Sequence, residues 1–132
     1  MIFEIRVTQV YDVSLSTTDN SHSVDPGNSI MYYINVRNTG TTYDDYTVNV
    51  LAEDPQASTW SSIFPSNFGL APDENITVTL TVTVPLGTSP GNYNIWVNVT
   101  SDNQSSVSGS LLTITDVLDL YSFEFSRNKF RC

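Results

Sequence analysis

From Ile76 to Val84 apolar and polar side chains alternate without a fault. Ile76, Val78, Leu80, Val82 and Val84 fall on one phase, and Thr77, Thr79, Thr81 and Thr83 on the other. Only a strand, with its period of two, gathers five aliphatic groups on one face and four hydroxyls on the opposite one. That single buried face is worth about 7 to 15 kcal/mol, an upper bound because the unfolded chain is already partly compact. A chain built around such a segment must supply a second layer to cover it.

The same period recurs in Ile30, Tyr32, Ile34 and Val36, in Tyr46, Val48 and Val50, and in Tyr93, Ile95, Val97 and Val99. Weaker strands are read at Val10 to Leu15, near Thr59 to Phe64, and from Val107 to Ile114, where the adjacent Leu111 and Leu112 leave the phase open. Turn chemistry separates them: Asp25-Pro26-Gly27-Asn28, Asn38-Thr39-Gly40, Ala71-Pro72-Asp73-Glu74 and Ser89-Pro90-Gly91-Asn92. Proline presets φ and glycine or asparagine accepts positive φ, so each of these ends a strand. No 3.6-residue apolar stripe with an N-cap is present, which limits helix to about a turn. About seven short strands with regular turns predict an all-β, two-sheet antiparallel sandwich.

The polar load of this chain is mostly uncharged: 33 Ser plus Thr and 12 Asn, against 5 Lys plus Arg. Formal net charge is −9, and a surface so acidic lacks the cations that displace counterions from a nucleic acid, so neither DNA nor RNA is an expected partner. One histidine and one cysteine cannot make a Cys/His zinc site, a disulfide framework or a supported Cys–His pair. No apolar run approaches a membrane span, and Met1-Ile2-Phe3-Glu4-Ile5-Arg6 lacks the basic and apolar regions of an export signal. No catalytic residue, cofactor or metal site is expected.

Tyr93, directly after Pro90-Gly91-Asn92, sits where a sandwich commonly turns a tyrosine inward to bond a nearby loop carbonyl, a tyrosine corner; the plainer reading is one more core aromatic in phase with Ile95. The order Val24-Asp25-Pro26-Gly27, Asn38-Thr39-Gly40, Leu70-Ala71-Pro72-Asp73, Val84-Pro85 and Pro90-Gly91-Asn92-Tyr93 resembles the CARDB-type (cell-adhesion-related) Ig-like modules of archaeal and bacterial surface proteins. The resemblance covers about residues 11–117. It implies an Ig-like sandwich, often repeated in tandem on secreted or cell-wall proteins, that serves as a spacer, scaffold or adhesion module without catalysis. Cell-surface placement is an expectation of the same kind.

That span leaves a strand-like segment at each end, residues 1–10 and 118–132. Val7 to Val13 aligns with Ile114 to Leu120 at an offset of 107, as if an interdomain junction occurred twice, although coincidence among Val/Thr/Asp-rich strands gives the same pattern. Residues 1–10 then end a preceding repeat and 118–132 begin a following one. The final dozen residues carry Glu124 against Arg127, Lys129 and Arg131, a basic tail on an acidic body. Two segments are candidates for strand donation to an exposed sheet edge of another copy: Ile2, Phe3, Ile5 and Val7, or Leu120, Tyr121, Phe123 and Phe125. The alternative is a strand on its own domain or an unstructured end.

Three Asn-x-Ser/Thr sequons, at Asn75, Asn98 and Asn103, face water by phase or by loop position and permit glycans, although chance alone supplies about as many in so Ser/Thr-rich a chain. The acid pairs Asp44-Asp45, Glu53-Asp54 and Asp73-Glu74 lack the spacing of a calcium loop and read as solvated turn acids. Acid–base hydrolysis by paired carboxylates needs one acid raised in pKa inside a cleft, whereas these adjacent pairs are read as lying in exposed turns. Trp60, in Thr59-Trp60-Ser61-Ser62-Ile63-Phe64, resembles the tryptophan-bearing segment that such modules fold into the core. Trp96 falls on the polar phase between Asn94 and Asn98, where it either meets carbohydrate or a partner or packs across strands, for instance on Tyr43. His22 lies in a polar stretch read as a solvated loop, and the terminal Cys132 has no second cysteine to pair with.

The expected function is a non-enzymatic extracellular structural or adhesion module whose partners are other copies or neighbouring modules, with glycans as further partners and no membrane insertion. Two alternatives stand beside it: a filament subunit joined by terminal strand donation, and a carbohydrate-binding module using Trp96.

Overall fold

A computed structural model describes residues 9–119. Nine strands and one helical turn follow in the order β1 (Val13–Ser16), β2 (Ser21–Val24), β3 (Ser29–Asn38), β4 (Asp44–Ala52), α1 (Pro55–Ser58), β5 (Ser61–Phe64), β6 (Asn67–Leu70), β7 (Asn75–Thr83), β8 (Gly91–Ser101) and β9 (Ser108–Val117). They form two sheets, β1-β3-β7-β5 and β2-β9-β8-β4-β6. All pairings are antiparallel except one: β2 runs parallel to β9, Ser21 opposite Ile114 and Val24 opposite Val117.

The inward phase of β7 is the one read from its alternation, since Val78, Leu80 and Val82 are fully buried. They lie beside Tyr32, Ile34 and Val36 of β3 on the same inner face and share one core with Val48 of β4 and Ile95, Val97 and Val99 of β8 from the opposite sheet. Polar side chains on the outward phase keep water on the far side of each sheet, the pattern of a sheet with one dry face.

Nine strands replace the expected seven because two short ones carry no alternation. Ser21–Val24 offers a single buried apolar residue, Val24, and its strand form comes from the ladder with β9 and not from its own sequence. His22 therefore sits in a strand and not in the expected loop, its ring 5.1 Å from that of Tyr32 and its Nε2 3.1 Å from Asp19 Oδ2. Asn67–Leu70 contains Gly69, a poor strand former, yet pairs with β4. In β9 the inward positions are Leu111, Thr113, Thr115 and Val117, so Leu112 and Ile114 point outward. The two buried threonines are satisfied: Thr113 Oγ1 donates to the Ile95 carbonyl at 2.8 Å, and Thr115 Oγ1 lies 2.9 Å from the Tyr32 hydroxyl.

The first strand changes sheets. β1 lies on β3, residues 17–20 cross the open side, and β2 joins the opposite layer beside β9. The chain therefore meets both sheets before the first hairpin is complete.

Candidate functional site

The described residues begin at one pole of the sandwich and end at the other. Val10 is held beside the β3–β4 loop, where its carbonyl accepts from Thr41 N at 2.8 Å. A Cβ on Gly40 would run into that same carbonyl, which is why this loop needs glycine. At the far end Leu118 N donates to the Val24 carbonyl at 3.0 Å, beside the turn that opens β3. The ten residues of β3 separate these poles, about 33 Å at strand rise.

Two buried tyrosines cross the core and clamp the first and last segments. Tyr46, from β4, donates to the Asp12 carbonyl at 2.9 Å, just ahead of β1. Tyr32, from β3, donates to the Ile114 carbonyl of β9 at 2.9 Å, which leaves the Thr115 hydroxyl as the donor to Tyr32. Burial pushes both phenols above the ordinary tyrosine range, and for Tyr46 the nearby charges of Asp44 and Asp12 add to the rise. Both stay protonated and remain donors.

The pole at which the chain enters also holds a buried polar cluster. Asn38, fully buried at the end of β3, donates from Nδ2 to the carbonyls of Thr42 at 2.9 Å and Leu70 at 2.8 Å, and its Oδ1 accepts from Gly40 N at 2.8 Å. It thereby joins β3 of one sheet to β6 of the other. Asp44 is fully buried too, with Oδ1 bonded to Asn103 Nδ2 at 2.7 Å and Oδ2 lacking a hydrogen-bond partner among the described residues. The expectation of a solvated turn acid is corrected here: β4 begins at Asp44, so alternation carries its side chain inward with Tyr46.

The other acids have local duties. Asp54 caps α1 through Gln56 N, Glu53 accepts from Trp96, Asp73 pairs with Arg37 at 3.1 Å, and Glu74 accepts from Ala71 N. Asp73 adopts φ 68° in the turn after Pro72. Among the described residues no group of three or more His, Cys, Asp or Glu is placed to hold a metal.

Tyr93 turns inward at the start of β8, its hydroxyl donating to the Ser89 carbonyl at 2.7 Å and its ring edge-on to buried Trp60 at 4.8 Å. Trp96 is half-buried on the outer face of the β2-β9-β8-β4-β6 sheet, in a cross-strand row between Leu51 and Leu112, with Nε1 donating to Glu53 at 3.1 Å. Of the sequons, Asn75 is exposed at the first position of β7, Asn98 is half-buried with Oδ1 accepting from Ser110 at 2.6 Å, and Asn103 has its amide engaged by Asp44. The strand-donation candidates Ile2, Phe3, Ile5, Val7, Leu120, Tyr121, Phe123 and Phe125, like the basic tail and Cys132, lie outside the described residues. Sequence reasoning missed the inward turn of Asp44 and the role of Asn38; the phase shared by Asp44, Tyr46 and Val48 was the available signal for the first.

No family model matches the chain, and no curated protein matches it. Solved structures do. A family 123 glycoside hydrolase from Clostridium perfringens aligns with 84% of this chain and 28% of its own length, at TM-score 0.64 and 14% identity. The SrpA adhesin from Streptococcus sanguinis aligns over 87% of this chain and 62% of its own, at TM-score 0.61 and 10% identity. A PapD-like domain of human CEP192 aligns over 91% and 93%, at TM-score 0.58 and 15% identity. At such identities the likeness is one of fold, an Ig-like or PapD-like β-sandwich. This chain spans less than two thirds of the hydrolase and of the adhesin, so it corresponds to one portion of each.

Proposed function

We propose that the chain is a non-enzymatic extracellular structural module of the CARDB type, which spaces or joins neighbouring modules of a surface protein. The observation that carries this reading is the placement of Val10 and Leu118 at opposite poles, with Tyr46 and Tyr32 fastening the backbone beside each. Modules joined through such poles extend end to end, and traction on them acts along the strands. Hydrogen bonds between strands lie across that direction, so the β1–β3 and β2–β9 ladders are loaded in shear and must yield together. Outer faces rich in Asn, Ser and Thr and the fold shared with an adhesin support placement at the cell surface.

Two copies joined from residue 118 directly into residue 10 test the spacer geometry by small-angle X-ray scattering. Nearly double the maximum dimension of one copy is expected. A compact, side-by-side pair contradicts the reading.

A further inference from the structure

The outer face of sheet β1-β3-β7-β5 carries an aromatic ridge that spacing does not use. Tyr33 is 59% exposed and Met31 is 49% exposed, two positions apart on β3 and so on one face. The Tyr33 hydroxyl lies 3.5 Å from Met31 Sδ. Residues so spaced on one strand make that contact only when the ring leans along the strand, which leaves a flat apolar surface facing outward.

The surface dips on both sides of this ring. One depression, about 250 Å³, is lined by Thr17, Thr18, Asp19, His22 and Met31; the other, about 230 Å³, by Ser16, Asn35 and Thr77 with the same two threonines. Their common wall is the crossover from β1 to β2, pinned to the ridge by Thr17 Oγ1 donating to the Tyr33 carbonyl at 2.7 Å. His22 is held at the rim by Asp19 and by the ring of Tyr32. The site is thus formed in advance. Phe64, 77% exposed, shares a cross-strand row with Thr79 and Tyr33, about 10 Å from the latter.

We propose that this groove binds a neutral glycan, one sugar stacking its C–H face on Tyr33 while the flanking hydroxyl and amide groups meet the sugar hydroxyls. A pyranose combines an apolar face with a rim of groups that both donate and accept, and ridge and walls present the complement. Charge sets the choice within the class. The acidic and basic side chains lining the two depressions are Asp19 and His22, already paired, and Arg37 further along β3 is tied to Asp73, so among the described residues no cation stands ready for a carboxylate or sulfate. An added peptide strand is disfavoured because the Tyr33 carbonyl, which it would use, is taken by Thr17. The inference stands apart from the spacer reading, since a module can space without binding and bind without spacing.

Native gel electrophoresis through soluble β-glucan, mannan or galactomannan, with alginate as the anionic counterpart, tests it. Retardation by at least one neutral polysaccharide is expected, weakened about tenfold or more in Tyr33→Ala and kept in Trp96→Ala, with the melting temperature of Tyr33→Ala unchanged. No retardation by any neutral polysaccharide, retardation by alginate alone, or undiminished retardation of Tyr33→Ala overturns the proposal. So does a Tyr33 amide resonance that shifts with an extended peptide and with none of the sugars.

Discussion

Asn103 spends its side-chain amide on Asp44: Nδ2 lies 2.7 Å from an Oδ1 that is cut off from water. The same nitrogen is the atom a glycan would take. Asn75, exposed at the start of β7, has β3 on one side, while β5 reaches only as far as Thr79 on the other. Protein folded before exposure to an N-glycosylating extract should therefore carry glycan at Asn75 and none at Asn103. Peptide mass spectrometry decides this, and Asn103 occupancy equal to that of Asn75 would contradict the role of the Asp44 bond.

Removing that bond without a glycan gives a second measure of it. Asn103→Ala leaves both oxygens of Asp44 without a donor and should cost about 1 to 3 kcal/mol in urea unfolding. In the background of Asp44→Ala the same change should cost much less, because the group it serves is gone.

Asn38→Ala strands two carbonyls and one N–H at a buried junction of the sheets, and a loss of about 3 kcal/mol or more is expected in the same assay. Asn38→Asp should be no better, since it places a carboxylate against two carbonyl oxygens. Gly40→Ala forces a methyl into the Val10 carbonyl, with an expected loss of about 1 to 3 kcal/mol.

Tyr46 and Tyr32 set a limit on alkaline stability. Their folded pKa values lie above the ordinary 10.0, so the stability they supply is complete below pH 10. As pH rises past that point the unfolded chain ionises first and stability falls, a loss that continues until the raised folded value is reached. Chemical unfolding between pH 8 and pH 11 should show a flat region followed by a decline, and Tyr46→Phe should make the decline shallower while lowering the plateau by about 1 kcal/mol.

Much of this was legible in the sequence, because the long strands write their burial directly into their alternation. Ile76 to Val84 has one dry face and no competing constraint, and Trp60 belongs to the core as expected. Legibility failed where a partner supplies what the segment lacks. Ser21–Val24 is a strand because β9 offers a ladder, and Asp44 is buried because the phase of Tyr46 carries it inward against the ordinary preference of an acid. The Tyr33 groove was hidden for a related reason. Its walls come from the β1–β2 crossover and from β7, segments far apart in the chain that only the sheet pairing brings to one tyrosine.

The two tryptophans make the same distinction measurable. Trp60→Ala empties a core site against Tyr93 and should cost about 3 to 5 kcal/mol. Trp96→Ala removes a half-buried ring and its bond to Glu53 and should cost under about 2 kcal/mol.

The spacer account stands most directly on resistance to traction, measured by single-molecule pulling with Cys132→Ser and paired cysteine handles. Handles at positions 10 and 118 load the terminal ladders in shear. Handles at positions 25 and 118, both at the pole where the chain leaves, peel β2 from β9 one bond at a time. The first geometry should need a clearly higher unfolding force than the second at equal loading rate. Equal forces in the two directions would contradict a module built to carry load from pole to pole.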